Sequence, residues 1–459
     1  MGSKILRSSS HHPVPDTSWA DGLRGIASIY VVASHITLCF ARSLIPPSKG
    51  QDGPATLFQR PFFRLIAQGN AFVSIFFVLL GFCNSLRALQ LSRAGCIHDA
   101  LSTLSTSSLR RPSRLVIPAA VVTVGSWLLC QLNFYYLAQR SDAFWLQTTT
   151  PVPSASWRQA VADLVKELIS TWVHGENWYD QPQWALLHLF RGSMVIFTVL
   201  LATVNTTIPF RITAELLLYL WSWVSNDSIV LINVFAGMIL AELSFHTLPH
   251  LTYKSANILP YPFAILGLYL CSYPDQYAEQ ARWSRQLMHL GMRIFPPGAS
   301  FGRFWSGLGA QLLCLAIVCS PAMRGALSRP YLLWLGRLSY PIYLLHGTLI
   351  RTCLTWLTFG PSVLMWTSNG ESYQDGMLDA PPLIPEPTKG ILVVALPVFF
   401  AVLLAIANAW AVKVEPVFER LAAAFERFAR TWGKGSKVYH DELPSKLNGK
   451  AILPTFANE

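Results

Sequence analysis

Charged side chains are scarce in this sequence. Only 13% of its 459 residues are Asp, Glu, Lys or Arg, whereas 52% are hydrophobic and the mean hydropathy is +0.38. Soluble domains carry about 25% charged residues. The composition therefore excludes an ordinary soluble protein of this length and indicates a protein that crosses a membrane several times.

Cysteine motifs are also missing. The 8 Cys include no CxxC pair and no Cys/His spacing typical of a metal site, and most of them lie inside apolar runs. Cysteines in such positions are usually small buried residues. We expect neither a disulfide framework nor a metal centre.

We expect neither a cleaved signal peptide nor an internal repeat. Residues 1–18 are polar and contain no apolar run of the kind that a signal peptide requires. No period of 20 to 50 residues is visible, and no second domain can be separated. We therefore expect a polar tail at 1–18, one membrane domain at 19–414 and a tail at 415–459.

Apolar runs of about 17 to 25 residues predict membrane-spanning helices. Such runs occur at 22–41, 68–88, 115–138, 184–204, 208–225, 229–246, 258–273, 304–320, 331–357 and 390–412. The expected fold is an all-α bundle of about ten membrane-spanning helices. In the tail, Phe418, Leu421, Phe425 and Phe428 recur at helical spacing, which predicts an interfacial amphipathic helix followed by disorder.

The sequence has a net charge of +11, and its basic residues lie mainly between the apolar runs. Basic residues in such positions favour a role in membrane topology or in binding anionic ligands over a role in binding nucleic acid. An even number of helices places both termini on one side of the membrane. The connection at 87–114 and the tail after Lys413 are rich in Arg and Lys, so the positive-inside rule assigns both termini to the cytosol. The endoplasmic reticulum is the expected membrane.

The first predicted helix contains one clearly ionisable group in its apolar part, His35, eleven positions after Arg24. At 1.5 Å per residue the two residues are about 16 Å apart, roughly half the hydrocarbon thickness of a bilayer. An ionisable side chain at that depth indicates a functional site. A histidine that hydrogen-bonds a neighbouring helix is the alternative, and this stretch alone does not separate the two.

Two further stretches carry candidate chemistry. Arg111 and Arg114 lie beside Pro112 at the start of the third span, where planar guanidinium groups could bind phosphate or simply flank the membrane. Tyr340, Tyr343 and His346 recur every three residues and form one polar stripe on a helix. That stripe could line a substrate cavity or form hydrogen bonds between helices.

Three of these stretches together resemble the acyltransferase 3 family, whose members are multi-pass membrane enzymes that transfer acyl groups to hydroxyls. Asp21-Gly22-Leu23-Arg24 followed by ten residues and His35 resembles the family's first helix. Arg111-x-x-Arg114 resembles its second motif, and the segment from Gly336 to His346 resembles its late Gly-x-x-Ser-Tyr-x-x-Tyr-x-x-His motif. The resemblance extends from about Trp19 to about Val414.

The stretch from Trp184 through Phe190-Arg191-Gly192-Ser193 resembles the fungal branch of the family, with two departures. Leu189 stands where relatives have a glutamate, and Leu80 stands where they usually have a serine. His188 cannot simply replace the glutamate, because neighbouring residues on a helix point about 100° apart. The departures imply an altered or weakened site.

The resemblance implies roles for individual residues. His35 and His346 would be catalytic, Arg24, Arg111 and Arg114 would bind acyl-CoA, and Tyr340, Tyr343, Trp184 and His188 would contact the acceptor. The implied reaction moves an acyl group, acetyl by preference, to a small lipophilic alcohol such as a fungal terpenoid or polyketide, in the lipid bilayer and without metal or nucleic acid. The alternatives are a multi-pass transporter and a catalytically impaired family member that acts as a membrane scaffold.

Overall fold

The computed structural model describes residues 17–245, 259–368, 383–385 and 389–432. Most of the predicted N-terminal tail and the predicted disordered end of the C-terminal tail lie outside these residues. The fold class is confirmed, because the described ranges form helices and contain no strand, only an isolated bridge between Ser141 and Ile384.

The described helices range in length from 5 to 35 residues. They are α1 (Ser18–Phe40), α2 (Gly69–Arg93), α3 (Ile97–Gln131), α4 (Tyr136–Arg140), α5 (Phe144–Thr149), α6 (Trp157–Val173), α7 (Trp184–Thr203), α8 (Ile208–Val224), α9 (Leu231–Ser244), α10 (Pro260–Cys271), α11 (Arg282–Ile294), α12 (Phe301–Cys319), α13 (Pro321–Leu327), α14 (Pro330–Arg337), α15 (Ser339–Leu349), α16 (Thr355–Ser368), α17 (Lys389–Lys413) and α18 (Glu415–Thr431). A π-type turn at Ile350–Leu354 joins α15 to α16.

Six stretches of the described chain are long and apolar enough to cross a membrane. They are Ser18–Phe40, Gly69–Arg93, Ile97–Gln131, Gln181–Thr203, Phe301–Cys319 and Gly390–Thr431. The predicted count of about ten is therefore not confirmed. The 14 residues of α9 and the 12 of α10 rise about 21 and 18 Å, less than the roughly 30 Å hydrocarbon core. The predicted span at 331–357 is divided among α14, α15 and the π-type turn.

The core is built around α2, which contacts α9 backbone to backbone. A Cβ added at Gly81 would lie 2.0 Å from the carbonyl oxygen of Val234, and one added at Gly237 would lie 2.1 Å from that of Val78. Only glycine permits so close a crossing, which is typical of helix pairs in membranes. This contact holds the short helix α9 against a long membrane helix.

The tail helix α18 packs against α3. The Arg110 guanidinium donates a hydrogen bond to Glu426 at 2.6 Å, and Phe418 is buried in the same contact region. Leu421, Phe425 and Phe428 are exposed as an apolar stripe. A helix thus lies where the amphipathic segment is predicted, and its interfacial position stays a prediction.

A buried charge cluster joins α2, α8 and α9. Glu242 forms ion pairs with both Arg93 and Arg211, and Arg211 also donates to the Ser92 hydroxyl at 3.1 Å. Arg211 is fully buried, as is the neighbouring carboxyl of Glu215. Removing one partner of such a cluster leaves an uncompensated buried charge, which typically costs about 3 to 5 kcal/mol.

We expect Glu242→Gln to lower the free energy of unfolding by about 3 kcal/mol, because both arginines lose their carboxylate partner. Thermal unfolding of the purified protein in detergent measures the effect. The exposed Arg87, whose guanidinium donates to the Gln90 side chain at 3.0 Å, supplies the control variant Arg87→Ala. Equal unfolding midpoints for Glu242→Gln and Arg87→Ala would contradict a stabilising cluster.

Candidate active site

Two histidines from distant parts of the sequence meet in the structure. The ring centroids of His35 on α1 and His346 on α15 are 5.0 Å apart. The Nδ1 atom of His35 lies 2.9 Å from the carbonyl oxygen of Val31, and that of His346 lies 2.7 Å from the carbonyl oxygen of Tyr343. A carbonyl only accepts, so both Nδ1 atoms carry the proton and donate it.

That tautomer leaves Nε2 of each neutral ring as a proton acceptor. Nε2 of His346 is buried and has no hydrogen-bond partner among the described residues. His346 is fully buried, whereas His35 is half-buried. The pair therefore presents unprotonated ring nitrogens in a largely buried place, and an unprotonated imidazole can act as a general base.

Two residues that sequence reasoning missed lie around the histidine pair. The Trp145 ring of α5 is 5.5 Å from the His35 ring, and the Arg351 guanidinium carbon is 5.4 Å from the centroid of Trp145. Arg351 is fully buried and donates to the carbonyl oxygen of Thr149 at 3.2 Å. It is a charged residue inside an apolar run, so the criterion that singled out His35 could also have found it.

A cavity of about 90 Å³ lies among α1, α2, α3, α7 and α15. Arg24, Arg111 and Tyr340 line it, together with many apolar side chains. Val31 and Tyr343 also line it, and they precede His35 and His346 by one helical turn. The cavity thus extends to the turn before each histidine.

A second cavity, of about 130 Å³, adjoins the first. Both are lined by Arg24 and Tyr340, and the second also by Arg114, Arg337 and residues of α18. The three arginines of the sequence prediction are therefore distributed over two neighbouring cavities. Arg24 lines both, and Arg111 and Arg114 line one each.

These arginines have partners within the chain. Arg24 forms an ion pair with Asp21, and Arg114 lies 3.6 Å from a carboxylate oxygen of Glu419 on α18. The Nε of Arg111 donates to the Ser193 hydroxyl at 3.0 Å. Acidic side chains also line the second cavity, so its lining is not purely cationic.

Tyr340 and Tyr343 both form hydrogen bonds to neighbouring segments and line a cavity, the two roles that the sequence left as alternatives. Tyr340 donates to the carbonyl oxygen of Leu115 on α3 at 3.3 Å, and Tyr343 donates to that of Pro182. Both rings also line the first cavity. The hydroxyls therefore connect α15 to its neighbours, while the ring faces border the cavity.

Helix α7 presents different residues on different faces. Leu189, which stands in the place of the expected glutamate, lines the first cavity together with Leu80, the other departure from the family pattern. Trp184 and His188 contact each other, with ring centroids 5.6 Å apart, but they line separate surface pockets. The structure does not bring these two side chains to the first cavity, because their positions on the helix are about 100° from Ala185 and Leu189.

Comparison with known proteins identifies the family of this chain. The sequence model of a family described as an acyltransferase domain matches residues 17–410. O-acetyltransferase PaAT-1 of Phomopsis amygdali is 26% identical over 370 residues, which cover 73% of this chain and 72% of that protein. Acyltransferase clz18 of Cochliobolus lunatus is 24% identical over 420 residues, 78% of this chain and 87% of that protein.

Acyltransferase R4 of a Phoma species is 22% identical over 431 residues, 80% of this chain and 89% of that protein. No solved structure matches the chain. The family match covers α1 to most of α17, including every element that lines the first cavity. The chain therefore belongs to the acyltransferase 3 family and is an O-acyltransferase, as its sequence motifs predict.

Proposed function

We propose that this enzyme transfers an acetyl group from acetyl-CoA to a hydroxyl of a small lipophilic acceptor, a fungal secondary metabolite such as a terpenoid or polyketide. The observation that carries the proposal is the pair of His35 and His346, each one helical turn beyond a residue that lines an apolar cavity, which Arg24 and Arg111 also line. The name of the relative PaAT-1 supports acetyl.

The reaction requires one base and no covalent enzyme intermediate. In the proposed step, Nε2 of His35 removes the proton of the acceptor hydroxyl as its oxygen attacks the thioester carbonyl. The new C–O bond forms, the C–S bond breaks, and the leaving thiolate takes the proton back from the imidazolium. His346, 5.0 Å away, is the second candidate for this proton transfer.

The donor would enter through the second cavity. Its phosphates suit Arg114 and Arg24, since guanidinium groups pair with phosphate oxygens in two-point contacts. Arg111 would then lie nearer the thioester, in the first cavity. On this path the second cavity and α18 face the cytosol, where acyl-CoA is available. The protein would lie in the endoplasmic reticulum membrane.

Two rival functions make different predictions. A transporter would carry a lipophilic molecule without forming an ester, and transport would persist after loss of His35. An impaired family member would bind acetyl-CoA without transferring its acyl group. The apolar Leu189 in the cavity is the specific feature that favours the second rival.

We expect His35→Ala to lower the transfer rate by at least about 100-fold, because a general base commonly contributes 10²- to 10⁴-fold. The measurement is single-turnover transfer from radiolabelled acetyl-CoA to menthol, farnesol and 1-naphthol by purified protein in detergent. His289→Ala, which removes an exposed histidine of α11, is the matched control. Label on an alcohol with His35→Ala at the wild-type rate would overturn the assignment of His35.

We expect Glu419→Gln to lower the KM for acetyl-CoA by up to about fivefold. The carboxylate competes with the donor phosphates for Arg114, and an ion pair exposed to this degree is worth at most about 1 kcal/mol. Glu279→Gln removes the same charge from an exposed position outside both cavities. A KM that rises in Glu419→Gln would place the donor phosphates elsewhere.

A further inference from the structure

The surface pocket that contains His188, here called the recess, also contains two arginines. It lies between α7, the turn from α8 to α9 and the start of α12, and its volume is about 770 Å³. Arg191 and Arg303 line it, and both are exposed. Pockets that bind small ligands usually enclose about 300 to 1,000 Å³. The recess is therefore large enough for a ligand, and it shares no lining residue with the first or second cavity.

Arg191 lies near the middle of a stretch that is long and apolar enough to cross a membrane. That stretch begins at Gln181 and ends at Thr203, so Arg191 lies ten residues, or about 15 Å, from its start. The hydrocarbon core of a bilayer is about 30 Å thick. A cation at such a depth is costly unless it faces a cavity and meets an opposite charge. The recess is the cavity that Arg191 faces.

The short hairpin of α8 and α9 creates the space for the recess. A Cβ added at Gly192 of α7 would lie 3.2 Å from the side chain of Val230, the last residue of the turn, and 3.1 Å from that of Leu80 on α2. Gly192 follows Arg191, so the turn lies at the depth of Arg191 instead of at the end of α7. The chain thus leaves a gap between this turn and the start of α7, and the recess occupies it.

The lining of the recess has more positive than negative charge. Asp227 is the single acidic residue of this lining, and its Oδ1 accepts hydrogen bonds from two backbone N–H groups at the start of α9, at 3.0 and 3.1 Å. No carboxylate of the described residues lies within 4.0 Å of the guanidinium nitrogens of Arg191 or Arg303. Arg191 donates to the carbonyl oxygen of Val173 at 3.4 Å, which leaves its charge uncompensated.

The rest of the lining is largely apolar. Phe190, Met194 and Val195 of α7 contribute to it, together with three apolar residues at the start of α9. Val224, at the end of α8 and next to a residue of the lining, is 71% exposed. A ligand that suits the recess therefore combines an anionic group for the arginines with hydrocarbon for these side chains.

We propose that the recess binds an anionic phospholipid, whose phosphate contacts Arg191 and Arg303 and whose acyl chains pack against the apolar side chains of α7. Guanidinium groups pair with phosphate oxygens in two-point contacts, and basic pockets between membrane helices bind anionic headgroups. The phosphate supplies the negative charge that the described residues do not place at these arginines. The inference concerns a site outside both cavities and does not depend on the proposed acetyl transfer.

The test measures the binding of tritiated lipids to the immobilised full-length protein in dodecyl maltoside by scintillation proximity. Dioleoylphosphatidic acid and dioleoylphosphatidylcholine have the same acyl chains, but only the first has a net negative charge. We expect the wild type to bind phosphatidic acid about 20-fold more tightly, because each arginine beside an anionic lipid contributes roughly a factor of five. In Arg191→Gln/Arg303→Gln the two affinities should become nearly equal, with that for phosphatidylcholine retained.

Arg158→Gln/Arg293→Gln is the matched control, because it removes two exposed arginines that lie outside the recess. It should keep the preference for phosphatidic acid. An equal loss of preference in this control would assign the binding to overall charge and would overturn the proposal.

Met194→Trp tests the recess by its volume and keeps both arginines, so the test does not depend on the folding of the glutamine variant. The larger side chain fills part of the recess, and we expect it to weaken the binding of phosphatidic acid. Wild-type affinity in Met194→Trp would place the lipid elsewhere and overturn the proposal.

Inorganic phosphate separates a lipid from a free anion. We expect it not to displace phosphatidic acid, because it has no acyl chains to pack against α7. Displacement by inorganic phosphate would assign the recess to a free anion, and equal wild-type affinities for the two lipids would remove the role of the arginines. Either result would overturn the proposal and would leave the proposed acetyl transfer intact.

Discussion

The backbone contact between α1 and α14 sets the register of the whole site. A Cβ at Gly25 would lie 2.7 Å from the backbone nitrogen of Gly336, and a Cβ at Gly336 would lie 2.3 Å from the carbonyl oxygen of Asp21. Gly25 precedes His35 by ten residues, and Gly336 precedes His346 by ten. Because α14 leads almost directly into α15, the segments 25–35 and 336–346 run side by side from this glycine contact. The equal spacing therefore brings the two imidazoles to the same height along α1.

The same register orders the polar groups along α1. Arg24, beside the glycine contact, lines both cavities, and His35 lies about 16 Å further along the helix axis. Between them the first cavity is largely apolar, with Leu80 and Leu189 among its lining residues. Arg24, whose guanidinium suits phosphate, is thus separated from the imidazole nitrogens by the apolar part of the first cavity. This separation matches a substrate with an anionic end and a reactive apolar end.

Buried polar atoms without a partner occur in both polar clusters of the described structure. Glu242 pairs with Arg93 and Arg211, yet Arg211 keeps one buried nitrogen and Glu215 both carboxyl oxygens without a partner among the described residues. Near the histidines, Nε2 of His346 is likewise without a partner there. Such atoms are costly in either place, so the histidine pair is distinguished instead by the cavity that reaches the helical turn before each histidine.

The sequence by itself determined the all-helical class and the family, and it singled out Arg24, Arg111, Arg114, His35 and His346, whose roles stay predictions. These follow from composition, from helical spacing and from short motifs, which are local properties of the chain. The expected count of about ten long spans is not confirmed, because hydropathy does not reveal where a helix ends, as the short α9 and α10 and the division of 331–357 illustrate.

Only the tertiary structure decided which side chains meet. It placed Trp184 and His188 outside the first cavity, because residue type does not reveal which face of α7 turns inward. It brought Trp145 of α5 to the His35 ring, with Arg351 against Trp145. No motif marks these contacts, because they arise from packing between segments that lie far apart in the sequence.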